Sequence, residues 1–157
     1  MKRTPLLTDP IAEFIQAGLS ISVATCDRAL EPDGAYACAA RVHEDRAHVT
    51  LYLYAEAGTR MLRNLRSHPE IAVLFERPTD HRACQVKGTF LSSRRARVGE
   101  RAEVERQVDG FAAELEAIGI PRAMIAGWKR WPCTALEIRV RELFEQTPGP
   151  GAGEPLQ

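Results

Sequence analysis

The sequence predicts a mostly β fold, a small six-stranded antiparallel barrel capped by helices. Short apolar or alternating segments recur along the chain at spacings typical of β-strands. Helical patterns occur between them only as insertions, which argues against a parallel sheet built from βαβ units. Closure into a barrel would also remove exposed sheet edges. The six predicted strands cover residues 19–25, 35–42, 48–54, 71–75, 83–91 and 134–144.

Length and composition favour one globular domain with a small-molecule ligand. The chain has 157 residues, enough for one hydrophobic core and too few for two ordinary domains. Its 21 basic and 21 acidic side chains cancel, so no overall charge attracts nucleic acid or an anionic membrane. No apolar run approaches the roughly 18 residues of a membrane span, and the N-terminus lacks a signal-peptide pattern. We therefore expect a cytoplasmic protein without nucleic-acid or membrane partners.

The cysteines and histidines show no spacing typical of a metal site. The cysteines lie far apart without a CxxC pair, so we expect buried thiols rather than disulfides or zinc ligands. The histidines are interpreted as solvated turn residues, and no metal is expected. These residues are Cys26, Cys38, Cys84, Cys133, His43, His48, His68 and His81.

The junction between the third predicted strand and the following helix is the most informative part of the chain. An apolar, aromatic segment ends at Gly58, and a helical pattern opens with Thr59 and Arg60. The N-terminus of a helix can bind a phosphate through its free backbone amides. From these residues alone, an ordinary N-cap at Thr59 and a solvated arginine at Arg60 are the alternative. Pro69 ends this helix after about two turns.

The second half of the chain adds two helices and a pair of tryptophans. A helical pattern runs from about residue 100 to residue 118, and a second, short helix covers residues 122–126. Trp128 and Trp131 follow this helix. They are interpreted either as a lid over the ligand of a partner subunit or as a hydrophobic anchor for the last strand, and the anchor is favoured.

Glycine marks two further features of the sequence. Gly88 lies inside a predicted strand, which indicates a bulge or a close approach of backbone or ligand. The end of the chain is rich in proline and glycine and has no following helix, which predicts a flexible tail. We assign residues 1–146 to the barrel domain and residues 147–157 to this tail.

Six segments carry a resemblance that none of them carries alone. They are residues 37–42, residues 49–54, Gly58-Thr59-Arg60, Asn64-Leu65, residues 68–75, and Arg82 with residues 85–88. In this order, along the central half of the chain, they resemble the pyridoxamine 5′-phosphate oxidase-like family of FMN-binding split barrels. The resemblance implies a homodimeric six-stranded split barrel that binds FMN in clefts between its two subunits.

The resemblance assigns the strand–helix junction to the flavin phosphate. In the family, the segments aligned with Tyr54, Ala55 and Gly58-Thr59-Arg60 bind this phosphate through hydroxyl, backbone and cationic groups. Thr59 and Arg60 thereby become the predicted phosphate contacts. A guanidinium offers a planar pair of donors to phosphate oxygens, and the amides at the helix start reinforce it.

The same resemblance places two other strands at the flavin ring. One strand would lie under the isoalloxazine, where small side chains leave room for a flat ring. Its predicted contacts are Tyr36, Ala37 and Cys38. Gln85 and Lys87 would supply polar contacts to the ring edge, and Lys87 or Arg82 would stabilise the reduced, anionic flavin. A solvent-facing strand for Gln85 and Lys87, and a surface ion pair for Arg82, are the alternatives.

Two departures from the family bear on the reaction. Met61 stands where the true oxidase has a phosphate-binding lysine, and the oxidase's C-terminal signature of tryptophan, arginine and histidine is missing. We therefore do not expect oxidation of pyridoxamine 5′-phosphate. The sequence predicts an FMN-dependent oxidoreductase that acts on an unidentified small molecule. Because electron transfer would take place at the flavin itself, no catalytic side chain is assigned.

Two other functions are compatible with the sequence. One is a non-catalytic split-barrel protein that binds flavin or haem, which the methionine at position 61 permits. The other is a dimeric scaffold whose cleft stays empty. Titration with FMN and with haem would distinguish the three hypotheses.

Overall fold

The structure is a computed structural model that describes residues 6–128 and 130–156. Within that part of the chain, seven strands form one antiparallel sheet, and no helix is long and apolar enough to cross a membrane. The strands are β1 (Ser20–Cys26), β2 (Pro32–Ala37), β3 (Ala39–Val42), β4 (His48–Tyr54), β5 (Glu70–Glu76), β6 (Ala83–Arg95) and β7 (Cys133–Glu145). The helices are α1 (Asp9–Ile15), α2 (Thr59–Ser67), α3 (Arg101–Ala117) and α4 (Arg122–Ile125), with a 3-10 turn at Val98–Glu100.

The order of the strands shows how the sheet closes. The order is β2-β1-β5-β6-β7-β4-β3, and the strands at its two ends are separated in the chain by Cys38 alone. The sheet must therefore curl until its ends meet at Cys38, and the prediction of an antiparallel barrel capped by helices is confirmed. The strand predicted at 35–42 pairs with β1 before Cys38 and with β4 after it. For this reason the six predicted strands are seven in the structure.

Two hydrophobic clusters hold the barrel together. The larger one fills the inside of the curled sheet. There β1 and β5 alternate buried and partly exposed side chains, as half-buried strands do. β4 is buried on both faces, since Leu51 lies in the main core and Tyr52 packs with Val104 and Val108 of α3 in the second cluster. Helix α3 therefore covers the outer side of the sheet beside β4.

Two glutamine side chains cover the outer edge of β3, the last strand in the described sheet. The completely buried Gln107 of α3 accepts a hydrogen bond from the N–H of Ala40 at 3.0 Å and donates one to its C=O at 2.7 Å. Gln16, directly after α1, accepts a hydrogen bond from the N–H of Val42 at 3.0 Å. These amides satisfy backbone groups that a neighbouring strand would otherwise satisfy. The Gln107 amide also fixes α3 against the barrel.

A pair of glycines lets α3 approach the segment between α1 and β1. A Cβ on Gly18, whose φ is +84°, would lie 2.5 Å from the carbonyl oxygen of Gln107. A Cβ on Gly110 would lie 3.1 Å from the carbonyl oxygen of Ala17. Gly110 weakens the helical pattern in the sequence, and this close packing is the reason for its presence.

Gly88 lies where the register between β6 and β7 shifts. A Cβ at this position would lie 2.4 Å from the carbonyl oxygen of Arg139 on β7. The prediction that Gly88 marks a bulge or a close backbone approach is confirmed.

We expect Gly88→Ala to destabilise the protein by about 1 to 3 kcal/mol, because the added methyl group must displace the backbone of β7. The measurement is the free energy of unfolding in urea. Gly99→Ala is the control, since a Cβ there would meet nothing within 4 Å. Equal stability of the two variants would contradict the expected clash.

The end of the chain folds back onto β7. The N–H of Leu156 donates to the carbonyl oxygen of Leu143 at 2.8 Å. The N–H of Glu145 donates to the carbonyl oxygen of Glu154 at 2.9 Å. The predicted tail thus contacts the barrel through backbone hydrogen bonds. Its flexibility and the domain boundary at residue 146 stay predictions, and residue 157 lies outside the described residues.

Candidate functional site

A cavity of about 1050 Å³ lies between the sheet and the helices that follow β6. We call its two sides the strand wall and the helical wall. The strand wall is formed chiefly by Ala35, Tyr36, Ala37, Cys38, Tyr54 and Gly58. The helical wall is formed chiefly by Val108, Phe111, Leu115, Met124, Ile125 and Trp128. The predicted site residues on β2, at Cys38 and at the end of β4 therefore line one cavity.

The turn between β4 and α2 brings a helix N-terminus to the edge of this cavity. Gly58, at the N-cap, lines the cavity and has a left-handed backbone with φ of 77°. No side chain accepts a hydrogen bond at this helix start, so its first amides keep their donors for another acceptor. Thr59 is the first helical residue, and the alternative that Thr59 caps the helix is therefore wrong.

Arg60 lies on the exposed side of α2, outside the cavity lining. Its Nη2 atom is 3.7 Å from Oε2 of Glu31 in the turn between β1 and β2, and both side chains are largely exposed. This is a weak surface pair that an anion with better geometry can replace. Met61 is completely buried in the main core, with its Cε close to Gly58. The position where the oxidase has its lysine therefore faces the core in this protein.

The strand wall presents small side chains between two tyrosines. Ala37 is buried, whereas Tyr36 is 73% exposed at the mouth of the cavity. Tyr54 lines the cavity, and its carbonyl oxygen accepts a hydrogen bond from the N–H of Ala57 at 2.8 Å. Ala55 is exposed and donates its N–H to the carbonyl oxygen of Pro132 at 2.9 Å. Ala55 thus fixes the turn without lining the cavity.

The other predicted ring contacts do not line this cavity. The guanidinium of Arg82 lies 4.4 Å from the ring centroid of Phe14, and the ammonium of Lys87 lies 4.7 Å from that of Phe144. Gln85 is on β6, where its register partner on β7 is Phe144. The structure therefore does not bring Arg82, Gln85 and Lys87 together with the strand wall within one subunit. Their contact with a ligand stays a prediction.

The helical wall is the part of the site that sequence reasoning missed. The apolar residues Val108, Phe111 and Leu115 recur at helical spacing, and such a stripe is typical of core packing. The signal that could have found the wall is the exposed aromatic residue after α4. Trp128 lines the cavity, and its ring centroid is 5.7 Å from that of Phe111.

The two tryptophans lie in different places, and a lid over the ligand of a partner subunit stays a prediction. Trp128 belongs to the cavity, where it is 46% exposed. Trp131 instead packs against the second hydrophobic cluster at the start of β7, as an anchor would. Lys129, which lies between them in the sequence, is outside the described residues.

Cys38 is the thiol on the strand wall, and it packs beside the buried Cys133. The neighbouring Cys133 lowers the pKa of Cys38, against the opposing effect of burial. The Cys133 thiol itself donates a hydrogen bond to the carbonyl oxygen of Arg130 at 3.0 Å. The neighbouring Cys38 and burial raise the pKa of Cys133. Of the two thiols, Cys38 therefore has the lower pKa. Burial raises the pKa of Cys84, in the main core, to about 12.

We expect iodoacetamide at pH 7 to alkylate Cys38 at least about ten times faster than Cys84, because the thiolate is the reactive form and Cys38 faces an open cavity. Peptide mapping by mass spectrometry measures both rates. Cys38→Ser provides the control, since it should lose the fast-reacting site and leave the slow one. Faster labelling of Cys84 would contradict the assignment.

The described residues offer no cluster of three or more histidine, cysteine, aspartate or glutamate side chains that could hold a metal ion. Each histidine instead has a protein partner. His43 bonds to Thr50, His48 to Asp45, His68 to Cys26 and His81 to Glu76. The chemistry of the cavity therefore depends on backbone amides, a thiol and aromatic rings.

Comparison with known proteins gives likeness in structure. No protein-family model and no curated protein sequence matches the chain. A protein from Lactobacillus delbrueckii, provisionally named pyridoxamine 5′-phosphate oxidase, has a TM-score of 0.56 at 13% identity over 91% of this chain and 97% of its own. HupZ from group A Streptococcus has a TM-score of 0.55 at 16% identity over 93% and 98%. An FMN-binding protein from Syntrophomonas wolfei has a TM-score of 0.53 at 12% identity over 85% and 81%.

These likenesses concern the fold, because the sequence identities are low. They extend over nearly the whole chain, including the helices outside the central segments. The chain therefore has the fold of the pyridoxamine 5′-phosphate oxidase-like split barrels, as the sequence predicts.

Proposed function

We propose that this protein is an FMN-dependent oxidoreductase that holds the flavin along the strand wall. One observation carries the proposal. The cavity brings β2 together with the turn between β4 and α2, the two segments that the family resemblance assigns to the flavin ring and to its phosphate. The shared fold of the FMN-binding protein from Syntrophomonas wolfei supports flavin as the ligand.

The residues at the start of α2 fit the phosphate end of FMN. The uncapped amides that follow Gly58 offer hydrogen-bond donors, and the helix dipole favours a negative charge there. Arg60 adds a guanidinium whose present partner is weakly held. The chain would thus bind the phosphate through these donors, without the lysine that Met61 replaces.

The strand wall fits the ring end of the same ligand. Ala35 and Ala37 line the cavity with little side-chain bulk and also pack with the main core, and Tyr36 is exposed at the mouth. FMN would supply hydride or electron transfer when bound. This chain would orient the ring, exclude water through the apolar helical wall, and offer the thiol of Cys38 as a group that can exchange a proton.

We also propose that the active form is a homodimer in which a second copy covers the mouth of the cavity. Tyr36 and Met124 are 73% and 70% exposed, and large apolar side chains at a surface are typical of interfaces. Arg82, Gln85 and Lys87 would then contact FMN across this interface. Size-exclusion chromatography with light scattering tests the dimer.

The test of the proposed function is the absorption spectrum of freshly purified protein, followed by titration with FMN. We expect saturable quenching of flavin fluorescence, and protection of Cys38 from iodoacetamide when FMN is bound. Candidate reductants are then added in the absence of oxygen, and loss of the flavin absorbance shows which class reduces the bound flavin. If the fluorescence of added FMN is not quenched and excess FMN does not protect Cys38 from iodoacetamide, the proposal is wrong.

We expect Glu31→Gln to raise FMN affinity about two- to fivefold, because it removes the carboxylate that competes with phosphate for Arg60. The effect should shrink at high salt, since both side chains are largely exposed. Titration at low and high ionic strength measures it. Glu13→Gln on α1 makes the same charge change at another exposed site and should leave affinity unchanged. Weaker binding by Glu31→Gln would count against the phosphate position.

The haem-binding alternative gains no support from the described residues. His43, His48, His68 and His81 do not line the cavity, so this subunit offers no imidazole there as an axial ligand. Titration with haem remains the direct comparison. A Soret shift without FMN binding would favour haem over flavin.

A further inference from the structure

The helical wall differs from the strand wall in chemistry. Val108, Leu115 and Ile125 form its depth and are almost completely buried, although they face a cavity. Phe111 and Trp128 stack beside them with an interplanar angle of 30°. Among the described residues that line the cavity, none carries a carboxylate, an ammonium, a guanidinium or an imidazole.

The charged residues of α3 point away from this wall and have partners elsewhere. Glu103 pairs with Arg106, and Asp109 pairs with Arg130. Glu114 accepts a hydrogen bond from the hydroxyl of Thr79. Helix α3 therefore has a paired, charged side and an apolar side, on which Val108 packs in the second hydrophobic cluster and Leu115 packs with Ile125.

The volume leaves room for more than one flat ring. Small-molecule sites are usually about 300 to 1000 Å³, and this cavity reaches about 1050 Å³. A ring system on the strand wall would leave the helical wall uncovered. Val108 and Ile125 are almost completely buried, so the accessible part of this wall is formed chiefly by Met124 and Trp128 at its mouth.

From these observations we infer that the helical wall is a second binding compartment for an uncharged, flat, apolar ring compound. An ionised group there would lose its hydration without gaining a partner, which is costly. Aromatic rings of a ligand would instead stack on Trp128 and Phe111. Met124 at the mouth has a flexible, polarizable side chain that adapts to ligands of different shape. Only the role of this compound as substrate depends on the proposed function; its binding does not.

The inference is tested with two naphthalene probes, neutral 2-methoxynaphthalene and anionic 2-naphthalenesulfonate, by calorimetric titration of the full chain with and without FMN. We expect the neutral probe to bind saturably and the sulfonate to bind at least about a hundredfold more weakly, because the wall cannot pair its charge. Trp128→Ala should weaken binding of the neutral probe about tenfold. Met124→Lys should weaken it as well, because it places a charge at the mouth.

Val98→Lys is the matched control. Val98 is 83% exposed and does not line the cavity, so this lysine should leave probe binding unchanged. Met124 is also strongly exposed, so Met124→Lys should fold. The inference is overturned if the neutral probe does not bind, if both probes bind equally, or if the two helical-wall variants bind it as well as the control does.

The outcome is separable from that of the proposed function. Probe binding without FMN binding would leave the compartment in place and remove the flavin assignment. FMN binding without probe binding would support the flavin assignment and overturn the inference of a second compartment. A second copy of the chain that fills the compartment would give a dimer without probe binding, which also overturns the inference.

Discussion

Arg60→Ala is expected to weaken FMN binding by about 1.5 to 3 kcal/mol, the scale of a hydrogen bond to a charged group. This corresponds to roughly a 10- to 150-fold higher dissociation constant. The guanidinium lies at the first turn of α2, where it and the uncapped helix amides would bind the same phosphate. Because Arg60 is about half exposed and pairs only weakly with Glu31, its removal should leave the fold intact. Fluorescence titration with FMN measures the change, and circular dichroism checks the fold.

Arg63→Ala is the control for this experiment. Arg63 is an exposed arginine on the same helix, so Arg63→Ala removes the same charge one turn away from the phosphate position. Riboflavin, which lacks the phosphate, provides a second control, since Arg60→Ala should bind it as the unchanged protein does. Equal affinity of the Arg60 and Arg63 variants for FMN would show that the phosphate lies elsewhere.

Gln107→Leu is expected to reduce the free energy of unfolding by about 2 to 5 kcal/mol. The substitution leaves the N–H and the C=O of Ala40 buried without their partners, and each such group costs about 1 to 3 kcal/mol. The side chain is completely buried, so water cannot readily replace the amide. Leucine has nearly the same size, and the loss would therefore come from the polar contacts rather than from a cavity.

Urea unfolding followed by tryptophan fluorescence measures this effect. Glu105→Leu, on the same helix, is the control, and it should change stability little because Glu105 makes only a surface pair with Arg101. Since Gln107 holds α3 against β3, its loss should also loosen the helical wall and weaken binding in the cavity. A Gln107→Leu protein as stable as the control would mean that β3 does not need this cover.

The pattern of the chain was enough to predict the barrel because strand periodicity is local. Alternation in β1 and the apolar runs of β4 and β5 are visible residue by residue. Gly88 was equally informative, since glycine weakens a strand interior and is typical there of a bulge or a close backbone contact. The break at Cys38 was not predictable, because it depends on which strands pair on each side of that residue.

In the candidate site, too, some features are visible in the sequence and others depend on tertiary packing. The sequence alone marks the β4–α2 junction, since Gly58 separates an apolar run from a helical pattern. It also marks the small residues of β2. The helical spacing of Met61 and Leu65 marks the apolar side of α2, and the structure buries Met61 in the core and leaves Arg60 at the surface.

The sequence by itself therefore determined a mostly β, helix-capped barrel and a helix start suited to an anion. Only the tertiary structure decided that α3 and α4 face this junction across a cavity, with Trp128 at its mouth. An apolar stripe on a helix looks the same in the sequence whether it packs against a sheet or lines a space. The difference depends on how closely two distant segments approach, and here the buried amide of Gln107 and the contact of Gly18 with Gly110 set that distance.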